Sequence, residues 1–215
     1  MLKELQSVLA DLYEIEPPCN VEEFLVTDPS RIQPLLGMQQ RRNIQEQLLV
    51  SEHDDTALIT LFIDASVLQT VQSHRDSGAI TRDCLNAYCL AVEGISHFLY
   101  TTWRAHHGRC VTQLELELQA EIDKYLYLSR LLTGENSAYL HRLHKMIFEE
   151  SELHDDLTDI EIDRYTTANR YAAKYCNIFN ADVVNNGLQP THINELRRFY
   201  RMTQNEKLRR IDKLN

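Results

Sequence analysis

Helical periodicity dominates this chain and is strongest between Thr81 and Thr133. Apolar residues recur there every three or four positions, in two stretches that a short connection near Gly108 separates. Thr81 is a favourable N-cap residue, and glycine is common just beyond a helix end. Apolar residues cover two sides of each stretch, so each helix should be surrounded by protein. The pattern predicts a long antiparallel helix pair at the centre of the fold.

A narrow polar stripe remains on each of these two helices. The members that could meet across the pair are Glu93, His97, Arg104, Glu117, Glu121 and Lys124. With the turn centred near position 108, Glu93 should lie level with Lys124. By the same count His97 should lie level with Glu121, and both pairings are complementary in charge. The stripes therefore predict polar contacts between the two helices.

The same count places Glu117 level with Tyr100 and one turn from Arg104. Buried charges are tolerated when they are paired, so the stripes predict an interhelical ladder with a structural role. The alternative is a functional site in which His97 and the carboxylates share a proton or hold a cation. A ferritin-like di-iron site needs a Glu-x-x-His spacing on two helices, whereas Glu93 and His97 show Glu-x-x-x-His once.

Two strand-like runs interrupt the helical pattern between residues 44 and 64. Gln47–Ser51 and Thr56–Ile63 are rich in apolar and β-branched residues, and polar residues separate them. This pattern predicts a β-hairpin that forms the principal β-structure. Apolar residues occupy both faces of the second run, so both faces should be largely covered. Because an isolated hairpin is marginally stable, it should pack on the helices or pair with another chain.

The predicted fold class is α+β, predominantly α, with a multi-helix core around the antiparallel helix pair and one β-hairpin. Six glycines and five prolines in 215 residues favour such long helices with few irregular connections. We predict a single domain, 1–215, made of an N-terminal helix and connector (1–43), the hairpin (44–64), a helical core (65–180) and basic C-terminal helices (190–215). The last core helix should begin at Asp159, after a capping box, and end near Asn180, before an Asn-Asn-Gly turn.

Charge is unevenly distributed along the chain. The net charge of −10 disfavours nonspecific binding to nucleic acid or anionic membranes. The segment after Thr191 is nevertheless rich in basic residues. Those that could form a surface for an anionic partner are Arg197, Arg198, Arg201, Lys207, Arg209 and Arg210. The simpler interpretation is a solvated basic face on helices that pack against an acidic body.

Cysteine and histidine spacing provides no metal-binding motif. The five cysteines are odd in number and contain no Cys-x-x-Cys pair, so we expect free thiols in a reducing cytoplasm. His141 and His144 lie three residues apart on a predicted helix without a matched acid, and a zinc site needs three or four ligands. No segment is long and apolar enough to cross a bilayer.

The His154-Asp155 doublet resembles that of metal-dependent phosphohydrolases of the HD type. The resemblance would recruit His141 or His97 as an upstream ligand and Asp163 as a downstream one. The doublet comes immediately before a Thr-x-x-Glu capping box, however. A loop of acidic residues at a helix start explains it better.

Our leading functional hypothesis is a noncatalytic cytoplasmic protein that acts through protein contacts, as an adaptor or a homo-oligomer, without a bound metal or cofactor. Each candidate cluster supplies at most two well-placed ligands on one element. The two-sided apolar helices must be covered by other helices of the chain or by a second subunit, and the flanking helices are too few to be the expected cover. The alternative is a metal-dependent hydrolase or oxidase that uses histidines and carboxylates from the set Glu93, His97, Glu117, Glu121, His141, His144, His154 and Asp155. A third hypothesis is nucleic-acid binding through the basic C-terminal helices.

Overall fold

The computed structural model of the chain describes residues 1–34, 44–53, 56–78, 80–133, 137–150 and 157–214. Over these ranges it consists mainly of α-helices with one small sheet, which confirms the predicted α+β, predominantly α class. None of the described helices is long and apolar enough to span a membrane.

In the described ranges, all strands lie in the first third of the chain. The helices are α1 (Leu2–Tyr13), α2 (Pro29–Ile32), α3 (Ala65–Ser77), α4 (Arg82–His106), α5 (Gln113–Leu132), α6 (Ser137–Phe148), α7 (Asp159–Asn186), α8 (Pro190–Tyr200) and α9 (Gln204–Asp212). The strands are β1 (Leu25–Val26), β2 (Glu46–His53) and β3 (Thr56–Ile63).

The central helix pair forms as predicted. The hydroxyl of Thr81 accepts a hydrogen bond from the backbone N–H of Cys84 and caps α4, and Thr112 caps α5 in the same way. Between them Gly108 adopts a left-handed φ of 63°, which a residue with a side chain rarely adopts. Contacts near both ends of the pair, described below, show that α4 and α5 are antiparallel.

The hairpin also forms as predicted, and a third strand joins it. Strands β2 and β3 are antiparallel, and β1 pairs in parallel with the end of β3, where Leu25 lies opposite Leu61. A short helical turn, Val21–Glu23, precedes β1. Both faces of the hairpin were expected to be largely covered. Leu61 is fully buried, as expected, but Leu58 is 66% exposed.

Helix α7 is longer than predicted. Its expected end was near Asn180, but it continues to Asn186 because Val183, 1% exposed, extends the buried stripe. Gly187 then ends the helix with a φ of 71°. The Asn-Asn-Gly sequence is therefore a helix end and not a turn between shorter elements.

Aromatic stacking joins the two ends of the described chain. The ring of Tyr13 on α1 stacks on that of Tyr200 on α8, with centroids 4.0 Å apart. The largest cluster of buried apolar residues includes members of α1, β3, α3 to α9 and the turn at Val21. Helix α4 lies at its centre, and the face of the sheet that carries Leu48 and Leu61 packs against it.

Candidate metal centre

Strand β2 and helices α4 and α5 bring four carboxylates and one histidine together. This carboxylate cluster consists of Glu46 on β2, Glu93 and His97 on α4, and Glu117 and Glu121 on α5. On each helix the two members are four residues apart and so share one face. The four helical members were predicted from the sequence, whereas Glu46 was not.

Glu46 reaches the cluster because α4 has a glycine at position 94. A Cβ atom on Gly94 would lie 3.0 Å from Cγ of Glu46 and 3.1 Å from Cδ1 of Leu61. The absence of a side chain thus lets the first residue of β2 approach the helix backbone. The Glu93-Gly94 dipeptide was a sequence signal for this close approach, although it did not identify the partner.

His97 lies between two carboxylates. Its Nδ1 is 3.5 Å from Oε1 of Glu46, and its Nε2 is 3.5 Å from Oε2 of Glu117. The three side chains are 9%, 7% and 12% exposed, in the order His97, Glu46, Glu117. Both ring nitrogens therefore face an acceptor in a region from which water is largely excluded.

Two cationic side chains border the cluster. Nζ of Lys124 is 3.0 Å from Oε2 of Glu93 and 2.8 Å from Oε1 of Glu121. Nε of Arg164, on α7, is 3.5 Å from Oε1 of Glu117. Spacing along α4 and α5 could not reveal Arg164, because its contact depends on how α7 packs across α5. The four carboxylates outnumber these two permanent cations.

The pKa directions show the competition between burial and charge. Burial disfavours the charged imidazolium, but Glu117 and Glu46 outweigh it and raise the pKa of His97 well above its usual range. Burial raises the pKa of Glu46, although His97 opposes the rise. Burial likewise raises the pKa of Glu121 against the effect of Lys124. In each case the shift in pKa reflects the balance between burial and the charges of the neighbouring groups.

Glu46, Glu93 and His97 lie close enough together to hold a metal ion. One ligand atom from each lies within 4.8 Å of the others, and no other such group of three occurs among the described residues. Within this group, Oε1 of Glu46 is buried and has no hydrogen-bond partner among the described residues. Buried polar atoms without hydrogen bonds are uncommon and indicate a missing interaction.

The predicted interhelical pairs are partly present. Glu93 pairs with Lys124, as the count from the turn indicated. His97 contacts Glu117 and not Glu121, which lies one turn further along α5. Glu121 instead forms an ion pair with Lys124 on its own helix, so the predicted pairing of His97 with Glu121 was wrong.

A second buried network lies nearer the connection between α4 and α5. Tyr100 donates a hydrogen bond to Glu115, at 2.6 Å, and Arg104 forms an ion pair with the same carboxylate, at 3.3 Å. Nζ of Lys207 donates to the hydroxyl of Tyr100 and to Oε1 of Gln119, at 2.9 and 2.8 Å. Arg104 thus belongs to this network. The sequence placed it one turn from Glu117, whereas in the structure it pairs with Glu115.

The network continues to Asp123 on α5. Ser96 donates to Oδ2 of Asp123 at 2.5 Å, and Tyr13 and Gln119 donate to Oδ1. Burial raises the pKa of Asp123 to about 6, and it lowers the pKa of Lys207 to about 7. We call these residues the Asp123 network; its members are Tyr13, Ser96, Tyr100, Arg104, Glu115, Gln119, Asp123 and Lys207. It joins α1, α4, α5 and α9, which indicates a structural role.

Several C-terminal basic residues are used inside the protein. Lys207 is fully buried, so its predicted place on an anionic-partner surface was wrong. Arg197 donates to the carbonyl of Leu12 and pairs with Glu14, and Arg201 donates to the carbonyl of Tyr13. These two arginines bind the carbonyl end of α1, as cations commonly do.

The remaining bases of that set lie at the surface. Arg198 and Arg210 share the carboxylate of Glu195, at 2.7 and 2.9 Å, and Arg209 is exposed. Nucleic-acid binding by this segment stays a prediction, and it would rest on fewer bases than the sequence indicated.

Of the other histidines in the site proposed from the sequence, His144 is the one whose side chain lies among the described residues. Nε2 of His144 is 3.0 Å from the carbonyl oxygen of Ala173 on α7. The side chain of His141 and the whole of His154 and Asp155 lie outside the described residues.

Comparisons of the chain with models of protein families, with characterised proteins and with solved structures found no match. The geometry of its own side chains is therefore the basis for a functional proposal.

Proposed function

We propose that this protein binds a divalent metal cation through Glu46, Glu93 and His97. The observation that carries the proposal is the convergence of one ligand atom from each residue within 4.8 Å. From the sequence alone we expected a protein without metal, because each cluster supplied at most two ligands on one element. Glu46, contributed by β2, removes that objection.

The surroundings support Nδ1 of His97 as the ligand atom. Nδ1 faces Glu46, whereas Nε2 faces Glu117. A histidine ligand generally donates its second N–H to a carboxylate, which fixes the tautomer and orients the ring. Glu117 is placed for this task, and Arg164 holds its other oxygen. Glu93 is oriented by Lys124 in turn.

The donor set favours a first-row transition metal. Two carboxylates and one imidazole suit Mn²⁺, Fe²⁺ or Zn²⁺, whereas Mg²⁺ and Ca²⁺ prefer oxygen ligands alone. Three protein ligands leave a coordination position for water, as in reactive rather than purely structural centres. Metal-dependent hydrolysis or oxidation is therefore the class of activity that we propose for this centre.

Calorimetric titration of chelator-treated protein tests the proposal. Wild-type protein should bind Mn²⁺ and Zn²⁺ with 1:1 stoichiometry and bind Mg²⁺ at least tenfold more weakly, a difference of about 1.4 kcal/mol. Glu46→Gln should weaken Mn²⁺ binding by two orders of magnitude or so, since it removes a charged ligand. Glu121→Gln is the matched control, because Glu121 is equally part of the cluster but is not a proposed ligand. Equal Mn²⁺ affinity in the two variants would refute the assignment.

A second candidate function is the noncatalytic one, in which a cytoplasmic adaptor or homo-oligomer acts through protein contacts. The exposed apolar residues of the hairpin favour it: Val50 is 46% exposed and Leu58 is 66% exposed. Strand β2 is also an edge strand of the described sheet, and edge strands are templates for pairing. Light scattering of wild-type protein and of Leu58→Lys would test self-association, which the lysine should abolish.

A further inference from the structure

A cavity of about 690 Å³ lies between α1, the end of α3 and the central helix pair. Its volume is within the range of small-molecule sites. The apolar part of its wall consists of Leu5, Val8, Val71, Ile80 and Leu131, and the rings of Tyr88 and Tyr127 also line it. None of these residues belongs to the carboxylate cluster, so the cavity is a separate feature of the molecule.

An ion pair spans one side of this cavity. Arg75, in the last turn of α3, donates to Oε2 of Glu4 on α1 at 2.5 Å, and both residues line the cavity. The two side chains are 40% and 64% exposed, in that order. An ion pair this exposed contributes little net stability. A carboxylate from another molecule could therefore replace Glu4 at the guanidinium at small cost.

Contacts between aromatic side chains form the neighbouring wall. Nδ1 of His74 lies 3.0 Å from the hydroxyl of Tyr88, and the two rings meet edge to face at 5.5 Å. The ring of Tyr127 stacks on that of Tyr88 at 5.8 Å. Arg75 thus lies beside a preformed aromatic surface. Ordering this surface would therefore add little to the free-energy cost of binding a ligand.

A second cavity of about 370 Å³ adjoins the first, because Val8 and Tyr127 line both. Its other lining residues are mainly apolar, and they include Leu9, Leu12, Leu126, Val183, Leu188 and Ile193. Glu4, Val8 and Leu12 are spaced four residues apart and so follow one face of α1. The two cavities together extend along that face for about 12 Å, the rise of eight helical residues.

We infer that these cavities bind a fatty-acid-like amphiphile, whose carboxylate pairs with Arg75 and whose alkyl chain passes Val8 toward Leu12. Glu4 and Arg75 line the first cavity, whereas apolar residues predominate in the second, which Ser129, Arg130 and Thr133 also line. A path of about 12 Å accommodates an extended chain of roughly ten carbons. The bound carboxylate of Glu4 shows that the guanidinium is oriented for such a group.

Calorimetry with sodium decanoate, kept below its micelle concentration, tests the inference on the full chain. Wild-type protein should bind decanoate saturably at one site, and Arg75→Gln should weaken this binding about tenfold. Decanol, which has the same chain without the charge, should bind wild type and Arg75→Gln within twofold of each other. Arg209→Gln, a matched exposed arginine, should leave decanoate binding unchanged.

Val8→Trp provides an independent test, since an indole at this position would obstruct the junction of the two cavities. It should abolish binding of both decanoate and decanol while circular dichroism stays that of the wild type. If this variant does not fold, the comparison of Arg75→Gln with Arg209→Gln decides alone. Nonsaturable uptake, or equal weakening of decanoate in both arginine variants, would overturn the inference.

Discussion

The side chain of Glu46 approaches His97 across the bare backbone of Gly94. The distance from Oε1 of Glu46 to Nδ1 of His97 is 3.5 Å, and a Cβ on Gly94 would stand 3.0 Å from Cγ of Glu46. Contact between the sheet and α4 at this point therefore depends on residue 94 being a glycine, which has no side chain. The cation site that we propose depends on it as well.

Gly94→Ala should destabilise the protein, although alanine is the better helix former by about 1 kcal/mol. The new methyl would press on Glu46 and on Leu61, which is fully buried, at a cost of about 1–3 kcal/mol. Urea unfolding would measure the loss. Repeating the substitution in a Glu46→Ala background should recover part of it, and a loss that is the same in both backgrounds would place its cause elsewhere.

Lys124→Met should destabilise the protein on the order of 3–5 kcal/mol, because it leaves Glu93 and Glu121 without their shared cation. Lys145→Met is the matched control. Lys145 is 59% exposed and lies 3.8 Å from Glu150, so its replacement should change stability by less than about 1 kcal/mol. Thermal and urea unfolding of both variants would check this contrast, and similar losses would contradict it.

Because of Lys207, the free energy of unfolding should increase as the pH rises above 7. Burial lowers the pKa of Lys207 to about 7 in the folded protein, whereas it is about 10.4 in an unfolded chain. Between these values the unfolded chain binds more protons, so the free energy of unfolding increases with pH.

Lys207→Met should lack this increase. Between pH 7 and 9 the wild-type free energy of unfolding should rise relative to that of the variant by on the order of 1–3 kcal/mol. Urea unfolding of both proteins at the two pH values would measure it. Parallel pH profiles would mean that Lys207 keeps its proton in the folded protein.

Arg201→Met should loosen the end of α1 at a cost of about 1 kcal/mol. Arg201 donates to the carbonyl oxygens of Tyr13 and Glu14, both at 2.9 Å. Hydrogen exchange at the last turn of α1 should become faster in this variant and stay unchanged in Arg209→Met. Exchange that is equal in all three proteins would show that the contact does not hold the helix end.

Local chemistry was sufficient to predict α4, α5 and the hairpin. The cap at Thr81 and the run of apolar and β-branched residues in β3 are encoded within a few neighbouring positions. Side-chain partners across the helix pair were harder to predict, because a shift of one turn changes them. His97 meets Glu117 rather than Glu121 for this reason.

Contacts between distant segments could not be predicted from periodicity. Glu46 enters the carboxylate cluster only because β2 packs on α4, and Arg164 enters it only because α7 crosses α5. Lys207 has the sequence context of a solvated base, yet the turn between α8 and α9 carries it into the core. Tertiary packing determined the environment of all three residues.

The Asp123 network has a consequence for synthesis on the ribosome. Tyr13 is 110 residues from Asp123, and Lys207 is 107 residues from Tyr100. Until α9 has emerged, Gln119 and Tyr100 lack a donor that the finished fold gives them, and the cleft that buries Lys207 stays open to solvent. Contacts so distant in sequence also form slowly. The last step of folding should therefore follow translation of α9, with the nascent helix pair exposed to chaperones until that moment.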